Sequence, residues 1–187
     1  SIRNAGRGPA PFPFPGRRVA SVPEPDSSDT QQLQWDIWLW NLRSAWNAGA
    51  IVRTIECLGL GSVWLIGHSP GPDHKAFTAA AMGCENRVRI NHLDTINEAK
   101  SRLTQMRSRT PIVALETGTQ SIPIQQFTWP RHGILLLGNE ELGLPDAALQ
   151  LASARVAIPM FGRKASLNVA SAFAIAASQI RFQTLPG

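Results

Sequence analysis

Three short segments of this chain share one grammar: an apolar run, then polar and glycine-rich residues, then an apolar stretch with helical spacing. They are residues 41–54 (NLRSAWNAGAIVRT), 137–145 (LGNEELGLP) and 158–169 (IPMFGRKASLNV). An apolar run that breaks at glycine and resumes at helical spacing reads as a strand–turn–helix junction. Three such junctions constrain the chain to an α/β sheet. They also build a site at the carboxyl ends of its strands, where open α/β sheets bind ligands.

The pattern around these segments agrees. Residues 36–41 read as a first strand, and Asn47 as the N-cap of a helix running to about Leu58, with Ile51, Ile55 and Leu58 on one face and Gly59 stopping it. Strands follow at 63–67 and 87–90, then an amphipathic helix over 94–107 with Ile96, Ala99, Leu103 and Met106 on one side. A fourth strand is expected at 112–116 and a fifth at 133–138, the latter apolar enough to be buried on both faces. Pro145 starts a helix to about Ala152, residues 155–158 form a sixth strand, and Ser166 caps a last helix to about Arg181. Strands alternating with helices predict a mostly parallel sheet covered on both faces. No internal repeat is visible, and no GxGxxG follows the first strand, which disfavours a dinucleotide site.

Residues 1–34 read as a separate extended arm, with residues 35–187 as the folded domain. Six of the fourteen prolines lie in that arm together with Arg3, Arg7, Arg17 and Arg18. It reads as a flexible tail, as an RNA-touching arm, or as a segment anchored by Phe12 and Phe14 on the domain or a second subunit. The net charge of +5 fits a polyanionic partner. The basic residues are fifteen Arg and three Lys, a choice suited to phosphate forks and base stacking but also produced by a GC-rich genome. No apolar run approaches the roughly 20 residues of a membrane helix, and no secretion signal opens the chain, so a cytoplasmic protein is expected. Cys57 and Cys84 are expected to be reduced core thiols. Neither they nor the four His show metal-ligand spacing, so no metal is expected.

The three segments together resemble the motifs of the SPOUT superfamily of RNA methyltransferases, specifically its TrmH-like 2′-O-ribose branch. They occur in the family's order over roughly residues 36–182. The resemblance implies a C-terminal deep trefoil knot, which nothing in periodicity would suggest, a homodimer meeting near the knot, and S-adenosylmethionine as cofactor. It assigns catalysis to Asn47, Arg53, Glu140, Ser166 and Asn168. Cofactor contacts fall on Leu115, Glu116, Gly118, Gly138, Asn139, Ile158, Met160 and Leu167. RNA contacts fall on Arg43, Arg163 and Lys164.

The residues carry their own reading beside this one. Gly49 in the first segment permits close backbone approach at a helix start that favours an anion such as RNA phosphate. Arg53, six residues after Asn47, sits on a neighbouring face. It serves as the general base the family assigns, as a phosphate and alkoxide clamp, or as a plain surface ion-pair partner. A guanidinium with a pKa above about 12 rarely loses its proton, which weighs against the first role. The expected function is methylation of a ribose 2′-hydroxyl in tRNA or rRNA. A SPOUT-type base methyltransferase and a non-catalytic RNA-binding module are the alternatives.

Overall fold

Strand β1 (Gln34–Trp40) shows in one element how the fold is built. Trp35, Ile37 and Leu39 enter one core, Trp38 and Trp40 the other, because successive strand side chains point to opposite faces. The computed structural model describes residues 33–184. All but the last two residues of the expected arm therefore lie outside the described residues.

Helix α1 (Ala45–Cys57) follows β1, then β2 (Val63–Ile66), α2 (Lys75–Ala81), β3 (Ile90–Leu93) and α3 (Ile96–Met106). The second half runs β4 (Ile112–Leu115), β5 (Ile122–Pro123), β6 (His132–Leu137), α4 (Asp146–Leu149), β7 (Ala154–Ala157) and α5 (Val169–Gln183). The strands form one sheet in the order β3-β2-β1-β6-β4-β7-β5, and every pairing is parallel. Central β6 matches its apolar run: Leu135 and Leu137 join the core under α1, α2 and α5, while Ile134 and Leu136 join the one under α3 and α4. Each such side chain contributes about 1.5–3 kcal/mol through burial. The α/β class and the helices on both faces stand as expected.

Several boundaries differ, for local reasons. Ser44, not Asn47, caps α1: its hydroxyl accepts the Asn47 N–H at 3.2 Å. Asn168, not Ser166, caps α5, accepting from Ala170 N and Ser171 N. The third strand starts at Ile90 because a 3-10 turn over Cys84–Asn86 holds Arg87 and Val88 through their N–H bonds to Cys84 O. Helix α4 stops at Leu149, and Ser153 then bonds back to Ile112 of β4, drawing the chain into the sheet. Helix α2, capped by His74, and the two-residue β5 were too short to register as periodic signals.

Gly49 permits the expected close backbone approach, but the partner is helix α2. A Cβ there would fall well inside contact distance of Phe77 O, so the missing side chain lets α1 and α2 touch backbone to backbone. Of the thiols, Cys84 is free and buried as expected, whereas Cys57 is exposed at the end of α1. No helix among the described residues is long and apolar enough to cross a membrane, and none of their His, Cys, Asp and Glu groupings could hold a metal ion.

Candidate functional site

At the carboxyl ends of β4, β6 and β7 the loops enclose a cleft of about 220 Å3. Its apolar walls include Leu115, Leu137, Ile158 and Leu167, and its polar edge includes Glu116, Thr117, Asn139, Glu140 and Ser166. Seven of the eight expected cofactor residues line it: Leu115, Glu116, Gly138, Asn139, Ile158, Met160 and Leu167. Gly118 does not; its carbonyl closes a turn with Ser121 N at 3.2 Å, and Thr117 stands in the wall instead.

The loop after β6 is held by side chains that bond to backbone. Asn139 Oδ1 accepts from Glu141 N and Leu142 N, and its Nδ2 donates to Asn41 O at 2.7 Å. Glu116 reaches across from the end of β4, and its Oε2 accepts from Leu144 N at 2.8 Å. Gly143 makes that possible: at φ +66 it adopts the left-handed region, and a Cβ would lie 2.6 Å from Glu116 Oε2. Glu116 thus joins two walls of the cleft, a role invisible in its sequence context because its partner lies 28 residues away.

Glu140 turns the other way, to the start of α1. Its Oε2 accepts from Arg43 N at 2.9 Å, and its Oε1 from Ser44 N at 3.1 Å and Asn47 Nδ2 at 3.0 Å. A carboxylate at a helix N-terminus is favoured by the orphan N–H groups and the helix dipole. Burial pushes the Glu140 carboxyl up, but the Arg43 N–H, the Asn47 amide and further backbone N–H donors outweigh it and hold the group below the usual glutamate range. Asn47, buried although polar, then accepts on Oδ1 from Asn168 Nδ2 at 3.0 Å. Residues from all three segments are thereby joined through one hydrogen-bonded line, Glu140–Asn47–Asn168.

The remaining expected residues are dispersed. Ser166 lines the cleft ahead of α5. Arg53 is outside the line and outside the cleft; its Nη1 donates to the thioether of Met82. Arg43 pairs through its side chain with Glu141 at the surface. Arg163 and Lys164 are exposed in the loop before α5.

The SpoU rRNA Methylase family model matches residues 35–178. The chain belongs to this family. Within it, the chain is 30% identical over 129 residues to the tRNA (guanosine(18)-2′-O)-methyltransferase of Escherichia coli K12, covering 69% of this chain and 55% of that one. It is also 30% identical over 148 residues to the tRNA (cytidine/uridine-2′-O-)-methyltransferase TrmJ of Escherichia coli O6:K15:H31, covering 74% and 59%. The chain therefore spans between half and two thirds of the length of these SpoU relatives. An AdoMet-bound rRNA methyltransferase from Sinorhizobium meliloti superposes with a TM-score of 0.73 at 26% identity, over 84% of this chain and 59% of that one. The resemblance to the TrmH-like SPOUT branch stands, and the SpoU match spans all three segments.

Proposed function

We propose that this chain is an S-adenosylmethionine-dependent methyltransferase acting on the ribose 2′-hydroxyl of tRNA or rRNA. The observation that carries the reading is the Glu140–Asn47–Asn168 line beside the cleft, in a chain whose relatives bear 2′-O-methyltransferase names. The cleft suits the cofactor chemically. Leu115, Leu137, Ile158 and Leu167 offer apolar faces to an adenine, while the loops at 115–117, 138–140 and 158–167 offer backbone groups to its polar parts.

When bound, the cofactor supplies an electrophilic methyl group on a sulfonium. The chain's own residues would hold the ribose oxygen in line with it and stabilise negative charge there as the hydroxyl proton passes to solvent. Arg53 is the group for that charge. A guanidinium keeps its proton, so it clamps the adjoining phosphate and the developing alkoxide rather than acting as base. A thioether is a weak acceptor, so the Met82 contact holds Arg53 lightly. Ser166 and Asn168 order the reacting end, and Arg43, Arg163 and Lys164 meet the RNA backbone.

The methyltransferase domain begins at about Trp35, with the preceding residues as an arm. Its last strand and helix pass through a loop as a trefoil knot. Support comes from β7, which lies between β4 and β5, and from α5, which returns to pack on α1. The working form is a homodimer in the cytoplasm. Five of the six Trp are taken up by the core or half-buried, so they do not argue for a partner; Trp46, Leu142, Phe161 and Phe182 do, at 59%, 85%, 94% and 64% exposed.

The test is incubation with labelled S-adenosylmethionine and total tRNA or total rRNA. Label is expected in one of the two pools. Binding of cofactor without transfer to either would leave the non-catalytic RNA-binding reading in its place.

A further inference from the structure

A second cavity, of about 580 Å3, opens between the loop after β2 and strand β3, outside the cleft described above. Three of the chain's four histidines line it: His68, His74 and His92. Pro70 and Pro72 add puckered apolar rings, and Leu65 and Ile90 an apolar floor.

The hydrogen bonds of two of these histidines settle which nitrogens carry protons. His74 Nδ1 accepts from Ala76 N at 3.2 Å, so in the neutral ring Nε2–H is a donor. His92 Nδ1 lies 2.8 Å from Asp94 Oδ1; a carboxylate only accepts, so Nδ1 carries the proton and the neutral ring's Nε2 is an acceptor. The cavity thus combines planar histidine rings, an apolar floor, one ring donor and one ring acceptor.

That inventory matches one ligand class. Phosphate is disfavoured, because the lining includes Asp73 and no Lys or Arg, with Asp94 beside His92. A metal is disfavoured, since none of the His, Cys, Asp and Glu groupings among the described residues could hold one. An unstacked nucleobase fits: it needs flat faces to stack on and mixed donors and acceptors for its edge. The two sites are linked through Asn41. Asn41 accepts on Oδ1 from His68 N at 3.1 Å, and on its carbonyl from Asn139 Nδ2 at 2.7 Å, with Asn139 lining the cleft.

We propose that this histidine-lined cavity binds the base of a second, unpaired nucleotide of the RNA strand whose ribose is presented at the cleft. The inference rests on the RNA methyltransferase reading. Stacking and edge recognition there select a single-stranded context around the modified position, beyond what backbone phosphate contacts can read.

The test measures affinity of the full chain, saturated with S-adenosylmethionine, for two probes: a short single-stranded RNA, and a ribose–phosphate strand of equal length and charge without bases. Wild type should prefer the base-bearing strand by about tenfold. The variant His74→Asn/His92→Ala keeps a helix-capping side chain at position 74 and should lose most of that preference, with cofactor affinity unchanged. His68→Ala, which removes no cap or ion pair, should lose part of it. Equal preference in wild type and in His68→Ala and the double variant overturns the inference while leaving the methyltransferase reading intact. A wild type that binds RNA with no preference for bases overturns it as well. A wild type that binds neither cofactor nor RNA removes both.

Discussion

Asn168 Nδ2 donates to Asn47 Oδ1 at 3.0 Å across 121 residues of chain. The same Asn168 caps α5 through its Oδ1, so one amide both starts the last helix and ties it to the first. Asn47 is free for this bond because Ser44 has taken over the capping of α1. Two amides and one carboxylate, hydrogen-bonded in series, thereby tie together three loops that no backbone pairing connects.

Capping therefore distinguishes two neighbouring residues. Asn168→Ala loses the cap of α5 and the link to Asn47, and should destabilise by about 1–2 kcal/mol. Ser166→Ala loses no cap and should stay within about 0.5 kcal/mol of wild type. Urea unfolding of the two variants checks this; equal losses would return the cap to Ser166.

Glu140 makes part of the stability pH-dependent. Its folded pKa is lowered, so its contribution is fully present above the ordinary glutamate value, near 4.5, and is lost as pH falls through the lower folded value. The stability difference between wild type and Glu140→Gln should hold steady from neutral pH down to about 5 and shrink below that. Denaturant titrations at a series of pH values measure it. A difference that instead grows on acidification would mean the carboxyl is raised, with burial dominating.

Gly49→Ala reverses a familiar sign. In an open helix the change stabilises by roughly 0.5–1 kcal/mol. Here the added methyl meets the Phe77 carbonyl of α2, and a loss of about 1–3 kcal/mol is expected. Thermal unfolding decides between the two signs.

What could be read before folding, and what could not, follows from range. Ile37 and Leu39 against Trp38 and Trp40, or the Leu135–Leu137 run, announce strands because burial on a pleated sheet repeats every two residues. The seven lining residues were named by the resemblance to the TrmH-like branch, and they meet in one cleft because strand ends in a parallel sheet gather at one edge. Caps were misassigned to Asn47 and Ser166 because Ser44, Asn47, Ser166 and Asn168 are all good cap formers, and tertiary bonds chose among them. Nor could local pattern show Glu116 reaching Leu144, or His68, His74 and His92 meeting around one cavity.

Arg53 separates chemistry from binding. Arg53→Ala should lower single-turnover methyl transfer by about 10²–10³ while leaving cofactor affinity nearly unchanged. Arg53→Lys should recover little, because an ammonium lacks the planar fork that grips phosphate. Wild-type turnover in Arg53→Ala would make it a surface residue whose business is Met82.

The position of the transferred methyl group tests the central claim most directly. RNA labelled by this chain from S-adenosylmethionine is hydrolysed in alkali, which cleaves a phosphodiester only where the neighbouring 2′-hydroxyl is free to attack. The account predicts label in alkali-resistant dinucleotides, the mark of a methylated ribose. Label released in mononucleotides, on a base, would contradict it.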